Sequence, residues 1–174
     1  IGSGIADKEI YELAYKVAKL LAEKGAIIYT GGLGGVMEAA SKGAFEAGGI
    51  TVGILPGHKA EDANPYVKIL VLTDMGHARN VILIRSVEMV VAIAGGYGTL
   101  SEIALALKMW KPVIGLKTWE NIPGVHYVNS AEEVLSKILE FLDNEILGGK
   151  SDYTCVFNFI FNYVKKRTLV ILIS

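Results

Sequence analysis

The stretch "VVAIAGGYGTLSE", residues 90–102, runs an apolar segment into Gly95, Gly96 and Gly98, then Thr99 and the carboxylate of Glu102. A second cluster, "TGGLGG", sets Gly31, Gly32, Gly34 and Gly35 after the apolar "AIIY". Where a strand ends in glycines and a helix opens, bare backbone N–H groups sit at the positive end of a helix dipole. Phosphate is the anion such a turn most often holds. Glycine is needed there because a side chain would block the phosphate or forbid a positive φ. Neither cluster is a Walker A loop, since no Gly-Lys-Ser/Thr follows, and neither has the G-x-G-x-x-G spacing of a dinucleotide fold. A mononucleotide or a sugar phosphate fits better.

The charged residues near these turns each admit two readings. Thr99-Leu100-Ser101-Glu102 matches a capping box, in which the fourth residue reaches back to the cap N–H and does nothing else. Alternatively, Glu102 is a carboxylate placed for chemistry beside a bound phosphate. Arg79, in "DMGHARN", is either an exposed helix residue or an anion ligand. Met37, Asn80 and Tyr97 adjoin these positions and are further candidates. His58, His77 and His126 have no second ligand at metal spacing, so neither a metal nor any other cofactor is expected.

The elements that must position these residues follow from periodicity. Apolar residues recur at helical spacing over 7–24, and 35–47, 75–87, 99–110 and 131–142 also read as helices. Short apolar runs at 26–30, 51–56, 67–73, 88–94, 112–116 and 125–129 read as strands, with a polar loop at 57–66. Such alternation gives right-handed βαβ units and a doubly wound parallel sheet with helices on both faces, an α/β Rossmann-like fold. Ligands in such sheets lie beyond the carboxyl ends of the strands, where both glycine clusters fall.

The ends are less regular. "IGSG" resembles the exit of a strand whose body is absent, and "RTLVILIS" (167–174) is a candidate to supply it; a tail that packs elsewhere or meets another copy is the alternative. Residues 1–142 are thus expected to form the binding domain and 143–174 a tail.

Composition narrows the partners. With 174 residues the chain is expected to be one domain with a substantial core. The hydrophobic fraction of 52% and mean hydropathy of +0.42 point to strands covered on both faces, or to an oligomer. Lys+Arg 17 against Asp+Glu 18 leaves no basic field to collect nucleic acid, and no polybasic run marks a membrane surface. The cluster Lys165-Lys166-Arg167 reads as a solvated terminus, and the single Cys155 allows no intramolecular disulfide. No apolar run is long enough to span a bilayer, and the opening "IGSGIADKE" has no leader pattern, so a cytoplasmic protein is expected. Glutamine is absent, as in heat-adapted proteins depleted of thermolabile residues.

At this point a family resemblance enters. "YTGGLGGVMEAASKGAFEAGGITVGILP" (29–56) resembles the first signature of the LOG-like proteins, formerly described as lysine decarboxylases. "DMGHARN" followed by "AGGYGTLSE" resembles their second, an arginine and then G-G-x-G-T-x-x-E, at the family's spacing; Arg85 falls on a further recurrent arginine. The resemblance covers about residues 1–142 and is nearest to a subgroup of small bacterial and archaeal proteins. Ala94 stands where the family commonly has proline, and "GGLGGVME" replaces a more usual G-G-G-x-x-G-L-M. The resemblance implies a Rossmann-like fold and a homodimer or higher homo-oligomer. It implies hydrolysis of a nucleoside 5′-monophosphate to free base and ribose 5-phosphate, with Arg79 and Glu102 as catalytic pair and Gly95, Gly96, Gly98 and Thr99 as phosphate loop. For some relatives it implies instead a binding role without catalysis, toward the molybdenum cofactor, a phosphorylated pterin. Nothing marks a Schiff-base lysine, so decarboxylation is not expected.

Overall fold

The computed structural model describes residues 6–147 and 169–173. Cys155, the cluster Lys165-Lys166-Arg167 and the opening "IGSGI" lie outside the described residues. The elements alternate along the chain: α1 (Lys8–Glu23), β1 (Ile27–Thr30), α2 (Val36–Glu46), β2 (Thr51–Leu55), β3 (Ile69–Leu72), α3 (Asn80–Arg85), β4 (Met89–Ile93), α4 (Tyr97–Lys108), β5 (Val113–Leu116), β6 (Val125–Val128), α5 (Ala131–Leu147) and β7 (Val170–Ile173). The strands form one seven-stranded sheet in the order β3-β2-β1-β7-β4-β5-β6. Every pairing is parallel.

Alternation along the strands divides the core in two. Met89, Val91 and Ile93 of β4, with Ile28, Ile114, Ile171 and Ile173, pack under α1, α2 and α5. Val90 and Ala92 of the same strand, with Val52, Ile54, Val113 and Leu172, pack under α3 and α4. A strand that sends apolar side chains both ways reads as a continuous oily run, which is why "MVVAIA" shows no alternation. Helices therefore cover both faces, as expected for a doubly wound sheet. Among the described residues no helix is long and apolar enough to cross a membrane.

Two predicted helices differ from expectation. The segment read as one helix over 75–87 begins as a 3-10 turn, Gly76–Arg79, before α3 starts at Asn80. The helix expected from Thr99 begins at Tyr97, and Gly96 is its N-cap. That shift of two residues makes Thr99 the third residue of α4 and Glu102 the sixth. A capping box needs its carboxylate at the third helical position, so the capping-box reading of Glu102 does not fit this start.

Candidate functional site

All carboxyl ends of a parallel sheet lie on one edge, so the turns after β1 and β4 share a rim, separated by the single strand β7. Both helices that leave these turns start without a side-chain cap: Gly35 is the N-cap of α2 and Gly96 that of α4. The first amides of a helix have no intrahelical acceptor. Two uncapped helix starts on one rim thus present donors to whatever anion lies between them.

Arg79 reaches this rim because β3 and β4 are far apart in the sheet. The connection from β3 must travel back across β2, β1 and β7, and it carries the 3-10 turn over their carboxyl ends. The side chain is only 4% exposed, which overturns the reading of Arg79 as a surface residue. Its Nη1 lies 3.7 Å from Oε1 of Glu102, which is 0% exposed. Arg79 Nε and Nη1 are buried with no hydrogen-bond partner. Burial pushes the guanidinium pKa below its ordinary value, and the charge of Glu102 opposes that shift.

Glycine lets this side chain lie close against the first turn. A Cβ on Gly31 would stand 2.5 Å from Arg79 Nη2 and 2.7 Å from Met37 Sδ. Gly31, Met37 and Arg79 are therefore in one packed cluster, with Met37 2% exposed beneath. At the second turn Gly95 has φ +101°, and a Cβ there would lie 2.0 Å from Thr99 Oγ1. That hydroxyl is fully buried and has no partner. Asn80 ties the two helices beside the site: its Nδ2 donates to Ser101 Oγ at 3.0 Å, and Ser101 Oγ donates to Gly98 O at 2.7 Å. Gly96 and Tyr97 form the exposed lip of the same turn. Arg85, by contrast, is exposed at the far end of α3, and the structure does not bring it to the rim.

Several supporting residues escape a reading by sequence. Thr30 Oγ1 accepts from Gly32 N at 3.1 Å and pairs with Ser41 Oγ at 3.3 Å, bracing the first turn from inside the fold. Asn64 braces it from outside. Its Nδ2 donates to Gly32 O (3.1 Å) and Leu33 O (2.9 Å), and its own N–H to Gly32 O (2.8 Å). The Asn-Pro pair signals a turn, but nothing in it says the side chain folds back onto residues so far upstream. On the other flank, Trp119 Nε1 donates to Gly96 O at 3.1 Å. Among the histidines, His58 Nδ1 lies 3.2 Å from Asp74 Oδ1 on the surface. Among the described residues no group of three or more His, Cys, Asp or Glu is arranged to hold a metal ion.

Comparison with known proteins agrees with the fold. The model of the SLOG cluster4 family matches residues 1–142. An uncharacterized protein of Archaeoglobus fulgidus is 48% identical over 136 residues, spanning 78% of this chain and 89% of its own. A cytokinin riboside 5′-monophosphate phosphoribohydrolase of Arabidopsis thaliana is 33% identical over 107 residues, 59% of this chain and 46% of the plant protein, so the match spans about half of that relative. Among solved structures, the molybdenum cofactor binding protein of the phototrophic bacterium Rippkaea orientalis superposes with a TM-score of 0.75. It shares 37% identity and covers 79% of this chain and 90% of its own.

Proposed function

Because the chain belongs to the SLOG cluster4 family, we propose that its carboxyl-edge rim binds and retains a small phosphorylated ligand carrying a nitrogen heterocycle. The observation that carries this reading is Arg79: a buried guanidinium whose Nε and Nη1 make no hydrogen bond among the described residues, its charge faced only by Glu102 at 3.7 Å, set between two uncapped helix starts. A buried cation whose donors are unmet is stabilised by an anion that meets them. Gly31, Gly34 and Gly35 on one side, and Gly95, Gly96, Gly98 and Thr99 on the other, would supply amide donors to the phosphate, while Gly32, whose N–H is taken by Thr30 Oγ1, shapes the turn. The likeness to a molybdenum cofactor binding protein supports a ligand of this class.

A second reading, hydrolysis of the N-glycosidic bond of a nucleoside monophosphate, is favoured by the 3.7 Å approach of Arg79 to Glu102 and by the phosphoribohydrolase relative. Breaking that bond builds positive charge on the ribose. Glu102 would stabilise it and orient the attacking water, while Arg79 would hold phosphate or polarise the departing base. The guanidinium cannot serve as the acid near neutrality. Since Glu102 is wholly buried, this reaction requires the Arg79–Glu102 contact to open on binding.

Incubation with AMP, CMP, GMP and UMP, followed both by calorimetry and by chromatography for free base, tests the two readings together. Binding without base release is the expected result. Release of base would establish hydrolysis instead, and absence of any binding, to these nucleotides or to a phosphorylated pterin, would overturn the phosphate-ligand reading.

A further inference from the structure

Beside the second glycine turn stands an aromatic pair that the phosphate reading leaves unused. Tyr97 opens α4 and is 82% exposed, yet its ring lies 5.6 Å from that of Trp119 with 39° between the planes. Trp119 is fixed. One side of its indole packs on the core beneath α3 and α4, and its Nε1 donates to Gly96 O. The loop that carries it is tied down on both sides. Thr118 Oγ1 donates to Ala94 O at 2.6 Å, while Tyr127 OH donates to Trp119 O at 2.8 Å and accepts from Ile122 N at 3.0 Å. Lys117 and Asn121, at φ 51° and 60°, hold left-handed backbone at the ends of this loop. Non-glycine residues adopt that conformation at an energetic cost, and five such residues occur in the described chain. These tethers hold the loop in place, and Trp119 Nε1 joins it to the carbonyl of the residue that caps α4.

Resting on the phosphate reading, we propose that Tyr97 and Trp119 form the stacking platform for the planar nitrogen heterocycle of the ligand whose phosphate the glycine turn holds. The outer face of Tyr97 is open, and a flat ring laid on it meets a platform already ordered by Trp119. Base-on-aromatic stacking tolerates any heterocycle with a π-face, so purine and pterin rings are both accommodated. Tyr97 and Glu102 are five residues apart on α4, about 140° around its axis. A ring seated on Tyr97 therefore lies on a different flank of the helix from the buried carboxylate.

Calorimetric titration of the full chain with ribose 5-phosphate, AMP and the phosphate ester of 6-hydroxymethylpterin tests this, with Tyr97→Ala and Tyr97→Phe as variants. In the wild-type chain at least one of the two ringed probes binds tighter than ribose 5-phosphate by roughly 5- to 150-fold. Whichever ring gains more identifies the source of the heterocycle. Tyr97→Ala brings the ringed probes down to the affinity of ribose 5-phosphate and leaves ribose 5-phosphate itself unchanged; Tyr97→Phe retains the difference. Equal loss for all three probes in Tyr97→Ala, or no loss for the ringed ones, overturns the platform while leaving the phosphate site standing. The same holds if Tyr97→Ala alters oligomeric mass and no ligand affinity, which would make the pair a contact between copies. Failure of the wild-type chain to bind any of the probes overturns both readings.

Discussion

Arg79 and Glu102 are each conspicuous in the sequence, but their relation is not. A spacing along the chain says which residues to watch, whereas burial and contact depend on a crossover from β3 to β4 that spans three other strands. The consequence is energetic as well as chemical. Taking one partner from a buried ion pair leaves the other charge uncompensated, at a cost of about 3–5 kcal/mol, well above the ~1 kcal/mol of a lost helix cap. Glu102→Gln is therefore expected to lower the unfolding free energy by about 3 kcal/mol in urea. Inorganic phosphate should restore more stability to this variant than to the wild-type chain, because the anion then has no carboxylate to compete with at Arg79. A loss of ~1 kcal/mol or less, with no added response to phosphate, would show that the pair is not coupled as its geometry indicates. Asn64 and Trp119 mark the limit of legibility at this scale. Each acts through a hydrogen bond to a glycine-turn carbonyl, and backbone carbonyls leave no trace in a sequence.

The elements were easier to read than their boundaries. Strands buried on both faces and helices with apolar stripes have distinct periods, and both periods are present throughout residues 7–142. The sequence points to a start of α4 at Thr99 because Thr99 is a strong cap residue and a glycine is only a fair one; the chain instead turns Thr99 Oγ1 inward against Gly95. Ala94, just before this turn, has φ 51°. Proline requires φ near −65°, which this left-handed position does not offer. Its N–H also donates to Leu116 O at 3.3 Å, a bond proline would delete. Ala94→Pro is expected to destabilise the chain by more than about 1 kcal/mol and to weaken phosphate binding with it. Ala94→Gly removes a left-handed strain of about 1–2 kcal/mol at an entropic cost of about 0.5–1, so it should be neutral or stabilise by up to about 1.5 kcal/mol. Urea unfolding of the two variants reads both numbers. A stable Ala94→Pro protein would mean that the left-handed turn is not required.

At the scale of the whole molecule, one short strand decides whether there is a site at all. β1 pairs with β7 and β4 pairs with β7, but β1 and β4 do not pair with each other. Without β7 the sheet falls into two three-stranded halves, β3-β2-β1 and β4-β5-β6, with a glycine turn on each. Neighbouring strands lie about 4.8 Å apart, so β7 sets the turns after β1 and β4 roughly 10 Å from each other, a span one phosphate ester and Arg79 can bridge. Ile171, Leu172 and Ile173 are all fully buried, and they feed both cores at once. Ile171→Ala should thus cost about 2–5 kcal/mol, whereas Leu139→Ala, on the exposed side of α5 at 49% exposure, should stay within about 0.5 kcal/mol. A chain ending at Thr168 should lose its single cooperative unfolding transition and its phosphate affinity together, because the strand that joins the halves also spaces the turns. If the shortened chain unfolded with an unchanged midpoint, or bound the ligand as tightly as the full one, β7 would be an accessory to the sheet and the rim would have to be held together by the helices alone.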